Sequence, residues 1–298
     1  MGAALYVLRD KVADVRTAFA TTRLRWGLVT LAALVVLATY ALLIEGWRLV
    51  LGTMGGTLGR VDAARIWFIS NLARYIPGAF WQLGAMTEMA RRRGVPITVS
   101  TSSAVVITIV NLFTGVAVAT AFLATTPSML HTRGRVVLGL GALVLVLMPA
   151  VTPQLVRLAR RVTGRDLVIP RVGLRPVVIS AVATTLAWLA YGVAFWIMTR
   201  AVLPGEWRDL SACIAIYTVY YLTGLLNPAP AGIGAAEGAM VLLAPRLGVA
   251  TTAEAAVLSI IVRVWRTVLE LLPGLVALAL SGTRDPADAQ PSRGSRIP

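Results

Sequence analysis

The chain has one cysteine, Cys213, and one histidine, His131, in 298 residues. A disulfide framework, a His-based metal site and a catalytic triad built on histidine are therefore excluded. Cys213 lies inside an apolar run and reads as small core filler, and His131 as a loop residue after Pro127. Acidic side chains are also scarce, 13 Asp and Glu against 28 Lys and Arg. Asp62, Asp166 and Asp209 are isolated, so the several acids that group transfer on a lipid-phosphate carrier would need are missing. No nucleotide fingerprint is found either. Gly139-Leu140-Gly141 sits in an apolar run without the third glycine and the following acid, and reads as helix packing. No cofactor is expected.

What the chain does have is hydrophobic sequence, 57% of its residues, with a mean hydropathy of +0.78. That is too apolar for a soluble domain of this length. Stretches able to cross a core of ~30 Å lie at 26–44, 99–124, 135–151, 176–199, 208–226 and 252–281. A further candidate, 62–90, is interrupted at Pro77-Gly78. The expected fold is all-α, a polytopic integral membrane protein of about seven spans. Residues 1–25 form a basic N-terminal segment, 26–281 one transmembrane domain, and 282–298 a polar tail expected to be disordered. The first 25 residues are charged and precede a long apolar run, which suits an uncleaved anchor better than a signal peptide.

The net charge of +15 is distributed as a membrane protein distributes it. Arg23 and Arg25 precede the first span, Arg91 to Arg93 follow the broken one, and Arg157, Arg160, Arg161, Arg165, Arg171 and Arg175 lie together before 176–199. Topology and anionic lipid account for this pattern. No aromatic-interleaved basic module is present, so nucleic acid is not an expected partner. Counting 62–90 as one crossing puts both the N-terminus and the six-arginine loop in the cytoplasm, in a multi-pass protein of the cell membrane. The side of the C-terminus stays open.

Two segments repeat. Gly78, Gly84-Ala85-Met86 and Gly94-Val95 recur as Gly232, Gly238-Ala239-Met240 and Gly248-Val249 at one constant offset. Each copy opens on a Pro/Gly break, Pro77-Gly78 in the first and Asn227-Pro228-Ala229-Pro230-Ala231-Gly232-Ile233-Gly234 in the second. Proline and glycine here remove backbone hydrogen bonds and let a helix unwind. In a bilayer that is tolerated where the freed groups face protein or a water-filled cavity. A helix restarting after such a break offers unpaired N–H groups and the positive end of its dipole, a ready anion site. Transporters with repeats place half-helices at their substrate site. The plainer reading is a Pro-kinked helix with Gly234 to Gly238 as a small-residue packing face. Single crossings would make the repeat parallel, and a re-entrant segment would make it inverted.

Charges inside spans are costly unless paired or wetted. Ser259, Arg263, Arg266 and Glu270 fall on one face of the last span. Arg266 and Glu270 pair along the helix, which leaves Arg263 to seek Glu237 in the first turn of the restarted helix. That pair either opens for a phosphate or is a static tie between helices. Arg74 faces the cavity as a second phosphate contact or snorkels outward. Glu88 with Arg91 to Arg93 reads as an interface cluster. Thr108, Asn111 and Gly115 read as helix-helix glue, and Tyr217, Tyr220 and Tyr221 line a lipid path or pack. The candidate lipid- or anion-binding set is Arg263, Glu237, Gly232, Gly234, Arg266, Glu270 and Arg74.

These same residues resemble the membrane region of the lysylphosphatidylglycerol synthase family, also described as flippase-like domains. Asn71 to Val95 is similar to the family's first motif. Pro230-Ala231-Gly232-Ile233-Gly234-Ala235-Ala236-Glu237, Leu247-Gly248-Val249 and Arg263 are similar to its second. The resemblance covers roughly residues 25 to 280. Ala231 stands where the family often has glycine, and Trp81-Gln82 replaces a more usual Gly-Glu, which removes an acid from the first copy. The resemblance implies movement of an anionic phospholipid or another lipid-linked phosphate between leaflets. The aminoacyl-transfer domain of bifunctional members is absent from this sequence, so synthase activity is not implied. The readings are thus a flippase or scramblase, a membrane enzyme on a lipid-phosphate carrier with Glu237 as base, and a non-transporting subunit that serves a membrane-enzyme partner.

Overall fold

The computed structural model describes residues 24–76, 81–125, 173–203, 205–227 and 232–281. The span expected at 135–151, His131, the loop arginines up to Arg171, residues 1–23, the tail from Gly282, Pro77-Gly78 and Pro228 to Ala231 lie outside the described residues. Among the described residues the elements are helices: α1 Trp26–Thr53, α2 Arg60–Leu72 followed by a 3-10 turn Ala73–Tyr75, α3 Trp81–Arg92, α4 Ile97–Ala124, α5 Leu174–Val202, α6 Leu210–Leu226, α7 Ala235–Arg246 and α8 Thr252–Ser281.

Helices α1, α4 and α5 are long and apolar enough to cross a membrane. α6 is apolar but shorter, 17 residues, and α8 has 30 residues with charges on one face. The first helix runs past the expected end at residue 44, because Glu45 and Arg48 pair at i, i+3 and neutralise each other on the helix surface. α6 starts at Asp209, whose carboxylate accepts a hydrogen bond from the Ala212 N–H at 2.6 Å.

The candidate at 62–90, interrupted at Pro77-Gly78 and left open between a crossing and a re-entrant segment, folds back on itself. α2 and α3 have 13 and 12 residues, about 20 and 18 Å of helix, and they pack against each other. Asp62 at the start of α2 is ion-paired with Arg93 just past the end of α3. Near the turn, Gln82 Nε2 donates to Asn71 Oδ1. α6 and α7 form a second such hairpin. Its bend is tight: Gly232 has φ +69°, and a Cβ there would collide with the Gly224 carbonyl of α6.

The repeat extends from the glycines to whole elements. α3 and α7 are both 12 residues long and end in the same cap. Gly94 and Gly248 take φ of 84° and 69°. The N–H of Val95 donates to Ala90 O at 3.1 Å and that of Val249 to Ala244 O at 2.9 Å. α1 and α5 precede the two hairpins, α4 and α8 follow them. α2 packs on α8 of the other set, as α6 packs on α4.

α1 and α5 run antiparallel. The Arg25 N–H donates to Ala201 O at 3.0 Å, the Tyr40 and Tyr191 rings lie 6.2 Å apart, and Gly46 abuts Ala183. The second set is therefore laid down in the opposite sense to the first. It also puts Arg25 and Arg175, at the starts of these two helices, at opposite ends of the pair. The expectation that the N-terminal segment and the six-arginine loop share one side rested on a single crossing at 62–90, and of that loop only Arg175 is among the described residues.

Close helix approach depends on small residues. Gly192 of α5 lies where an added Cβ would come within 2.8 Å of Ile214 Cα on α6. Gly115 of α4 receives the Trp188 indole, whose Nε1 donates to Asn111 O at 3.1 Å. The stripe around Asn111 and Gly115 thus acts as helix-helix glue. Cys213 is fully buried and unpaired.

Candidate functional site

The turn after α2 carries Arg74 and Tyr75 inward, against α8 and α6. α2 reaches α8 closely because α8 has Gly274 there; a side chain at that position would strike Leu72. Arg74 Nη1 lies 3.4 Å from Glu270 Oε1 on α8, and its Nη1 and Nη2 donate to Tyr221 Oη at 3.4 and 3.5 Å. Of the two positions open to Arg74, the inward one is therefore occupied. Tyr75 Oη donates to Glu270 Oε2 at 2.9 Å, and Arg266 Nε donates to Glu270 Oε1 at 2.7 Å, one turn away along α8. Glu270 is 7% exposed, Arg266 11% and Arg74 15%.

Two guanidinium groups thus share one carboxylate, and the cluster holds one positive charge beyond neutrality. Aromatic faces support it. Arg266 lies 4.3 Å from the centre of the Tyr221 ring and 6.0 Å from that of Tyr220, distances at which the ring quadrupole attracts a cation. Tyr221 stacks on Tyr191 of α5 at 6.2 Å, and Tyr217 lies 5.9 Å from Tyr191. Tyr40, Tyr191, Tyr217 and Tyr220 are all buried. Sequence reasoning singled out Arg266, Glu270 and Arg74 but gave no role to Tyr75 and missed the two-arginine function of Tyr221. No local signal could assign these, since Tyr75 and Glu270 are 195 residues apart.

A second ion pair lies two turns nearer the start of α8. Arg263 Nη1 is 3.3 Å from Glu237 Oε1, a contact without hydrogen-bond alignment, since Oε1 has no hydrogen-bond partner among the described residues. Oε2 of the same carboxylate accepts from the Gly234 N–H at 2.7 Å. Glu237 thereby occupies the N-terminal donor of α7 that the sequence suggested for an anion. Gly234, with φ +89°, supplies that donor, while Gly232 makes the bend against α6. Ile233, Gly234, Glu237, Ile260, Arg263 and Val264 line an open groove. Ile233, Ile260 and Val264 are well exposed on its rim, so an apolar approach leads to an ion pair. By contrast Glu88 is tied to Arg91 and Arg92 on the surface, all more than a third exposed, and stands apart from both pairs.

A family model described as the lysylphosphatidylglycerol synthase transmembrane region matches residues 2–274. The chain belongs to that family. Membership makes it a membrane-embedded, multi-helix protein of a family related to lipid modification or flipping. No individual curated protein matches it at a significant level. Of the residues that carry the resemblance, Gly234 and Glu237 line the groove, and Arg263 lines it from the neighbouring helix.

Proposed function

We propose that this protein acts as a transporter, not as an enzyme, and flips or scrambles an anionic phospholipid or a lipid-linked phosphate between the leaflets of the cell membrane. The observation that carries the reading is the buried Arg74, Glu270 and Arg266 cluster with its excess positive charge, two turns along α8 from a groove with apolar rims. Guanidinium groups at depth suit a phosphate, and exposed Ile233, Ile260 and Val264 suit the acyl chains that enter with it.

In this reading the two hairpins are re-entrant. The hairpin helices have 12 to 17 residues, about 18–26 Å and so shorter than a core of ~30 Å, and the two hairpins enter from opposite sides because α1 and α5 are antiparallel. Together with α1, α4, α5, α8 and the apolar run at 135–151 they make about seven membrane segments. Such inverted repeats with broken helices are a common plan for alternating access. The groove pair Arg263 and Glu237 opens to admit the phosphate, which then passes to Arg74 beside the Arg266 and Glu270 pair; Gly232 and Gly234 hold the bend against which this happens.

Orientation follows the arginines. Arg60, Arg91 to Arg93 and Arg175 gather at one end of the helices and Arg25, Arg200, Arg208 and Arg246 at the other. The first end, which the six-arginine stretch joins in sequence at Arg175, is the more basic and is the cytoplasmic one under the positive-inside rule. This reverses the orientation expected for the N-terminus.

The test is reconstitution of the pure protein into liposomes with head-group-labelled anionic lipid and a leaflet-specific quencher. Protein-dependent exchange between leaflets is expected. Exchange no faster than in empty liposomes rejects the reading. Exchange that needs an added membrane enzyme would favour the role of an accessory subunit.

A further inference from the structure

The charge of the inner cluster points to the charge of what it takes. We infer that Glu270 sets the ligand class: the site accepts a lipid with a singly charged phosphodiester in preference to one with a doubly charged phosphomonoester. The inference rests on the transport reading above and specifies its substrate.

Among the described residues, the charged groups that face Glu270 are Arg266 on its own helix and Arg74 from the first hairpin. Tyr75 and Tyr221 touch the cluster through their hydroxyls, and Tyr40, Tyr191 and Tyr217 complete its surroundings from α1, α5 and α6. The nearby pair of Arg263 and Glu237 is neutral by itself. Glu270 is also the one charged residue in the buried class among the described residues. An excess of one positive charge at this depth is costly, and one phosphodiester removes it. A dianion overshoots and leaves an uncompensated negative charge in the same place.

The two arginines are not equivalent. Arg266 holds Glu270 at 2.7 Å and lies against the Tyr221 ring. Arg74 reaches its partners only at 3.4 to 3.5 Å. Arg74 is therefore the cation that turns to the phosphate, while Arg266 stays with the carboxylate.

The experiment uses full-length protein in phosphatidylcholine vesicles at pH 8.5 with trace labelled phosphatidylglycerol, a monoanion, or phosphatidic acid, a dianion above a second ionisation near roughly pH 6. Translocation and equilibrium binding in micelles are both measured. The wild type should favour phosphatidylglycerol by about tenfold or more in binding, a ratio that one unpaired buried charge readily produces. At pH 5.5, where phosphatidic acid carries one charge, the ratio should fall toward one. Glu270→Gln adds a second excess positive charge and should shift the preference to phosphatidic acid. Arg74→Gln removes the excess and should abolish the advantage of both over phosphatidylcholine. Equal binding of the two lipids by the wild type at pH 8.5 overturns the inference, as does a folded Glu270→Gln protein that keeps the original preference. Should that variant not fold, the wild-type ratio at the two pH values decides. Binding with the expected ratio but no translocation rejects the transport reading and leaves the charge rule standing.

Discussion

Arg74 on the first hairpin and Glu270 on the last helix lie 3.4 Å apart, across 196 residues of chain. The contact joins the two oppositely directed sets of helices at the most buried charge among the described residues. Tyr75 reinforces it from the adjacent position, so the tip of the hairpin is held by two consecutive side chains. Whatever moves the hairpin must break both.

Removing Glu270 should therefore cost more than removing Arg74. Glu270→Ala leaves two guanidinium groups unpaired and should lower stability by about 3–5 kcal/mol. Arg74→Ala leaves Glu270 with Arg266 and Tyr75 and should cost less. In thermal unfolding in detergent, the double variant should show a coupling of roughly 0.5–3 kcal/mol. Additive losses would mean that the pair contributes nothing.

The first hairpin predicts proximity and sidedness together. Cysteines introduced at Asp62 and Arg93, paired across the ends of α2 and α3, should be joined by a short bifunctional reagent, and the buried Cys213 should not compete. Arg93→Cys alone should react with an impermeant maleimide from the cytoplasmic face. A continuous span would hold the two positions ~30 Å apart or more, and no product would form.

The two classes of glycine should separate in a stability series. Gly94→Ala places a side chain at positive φ with nothing within 4 Å and should cost about 1–2 kcal/mol. Gly232→Ala has the same conformational penalty plus collision with the Gly224 backbone, so its loss should be clearly larger. Equal losses would show that α6 and α7 do not meet as tightly as described.

Glu237 has two jobs that substitutions can divide. Glu237→Gln keeps an oxygen for the Gly234 N–H but gives up the charge opposite Arg263. Glu237→Ala loses the cap as well and should be less stable than the glutamine variant by ~1 kcal/mol. The glutamine variant, with Arg263 released, should also bind anionic lipid in micelles more tightly than the wild type. Unchanged binding would make the pair a static tie.

Much of this was legible in the sequence. The i, i+4 spacing of Arg266 and Glu270 fixes their pairing, since helix geometry puts them one turn apart. The position of Glu237 three residues after Gly234 fixes the cap for the same local reason, and the isolation of Arg263 on its face leaves Glu237 as its natural partner. Apolar run length gave α4, α5, α6 and α8 nearly to the residue. The break at Pro77-Gly78 was visible too, but whether the chain continues or turns back after it was not, because that depends on Asp62 meeting Arg93.

The amino-acid sequence by itself determined that this is a helical membrane protein with a repeated broken helix, because hydropathy, helix period and Pro/Gly chemistry act over a few residues. Only the tertiary structure decided that the repeats oppose each other and that Arg74 joins Glu270. Those facts depend on which distant helices pack together. Small residues such as Gly192, Gly232 and Gly274 permit that packing, and no local pattern encodes it.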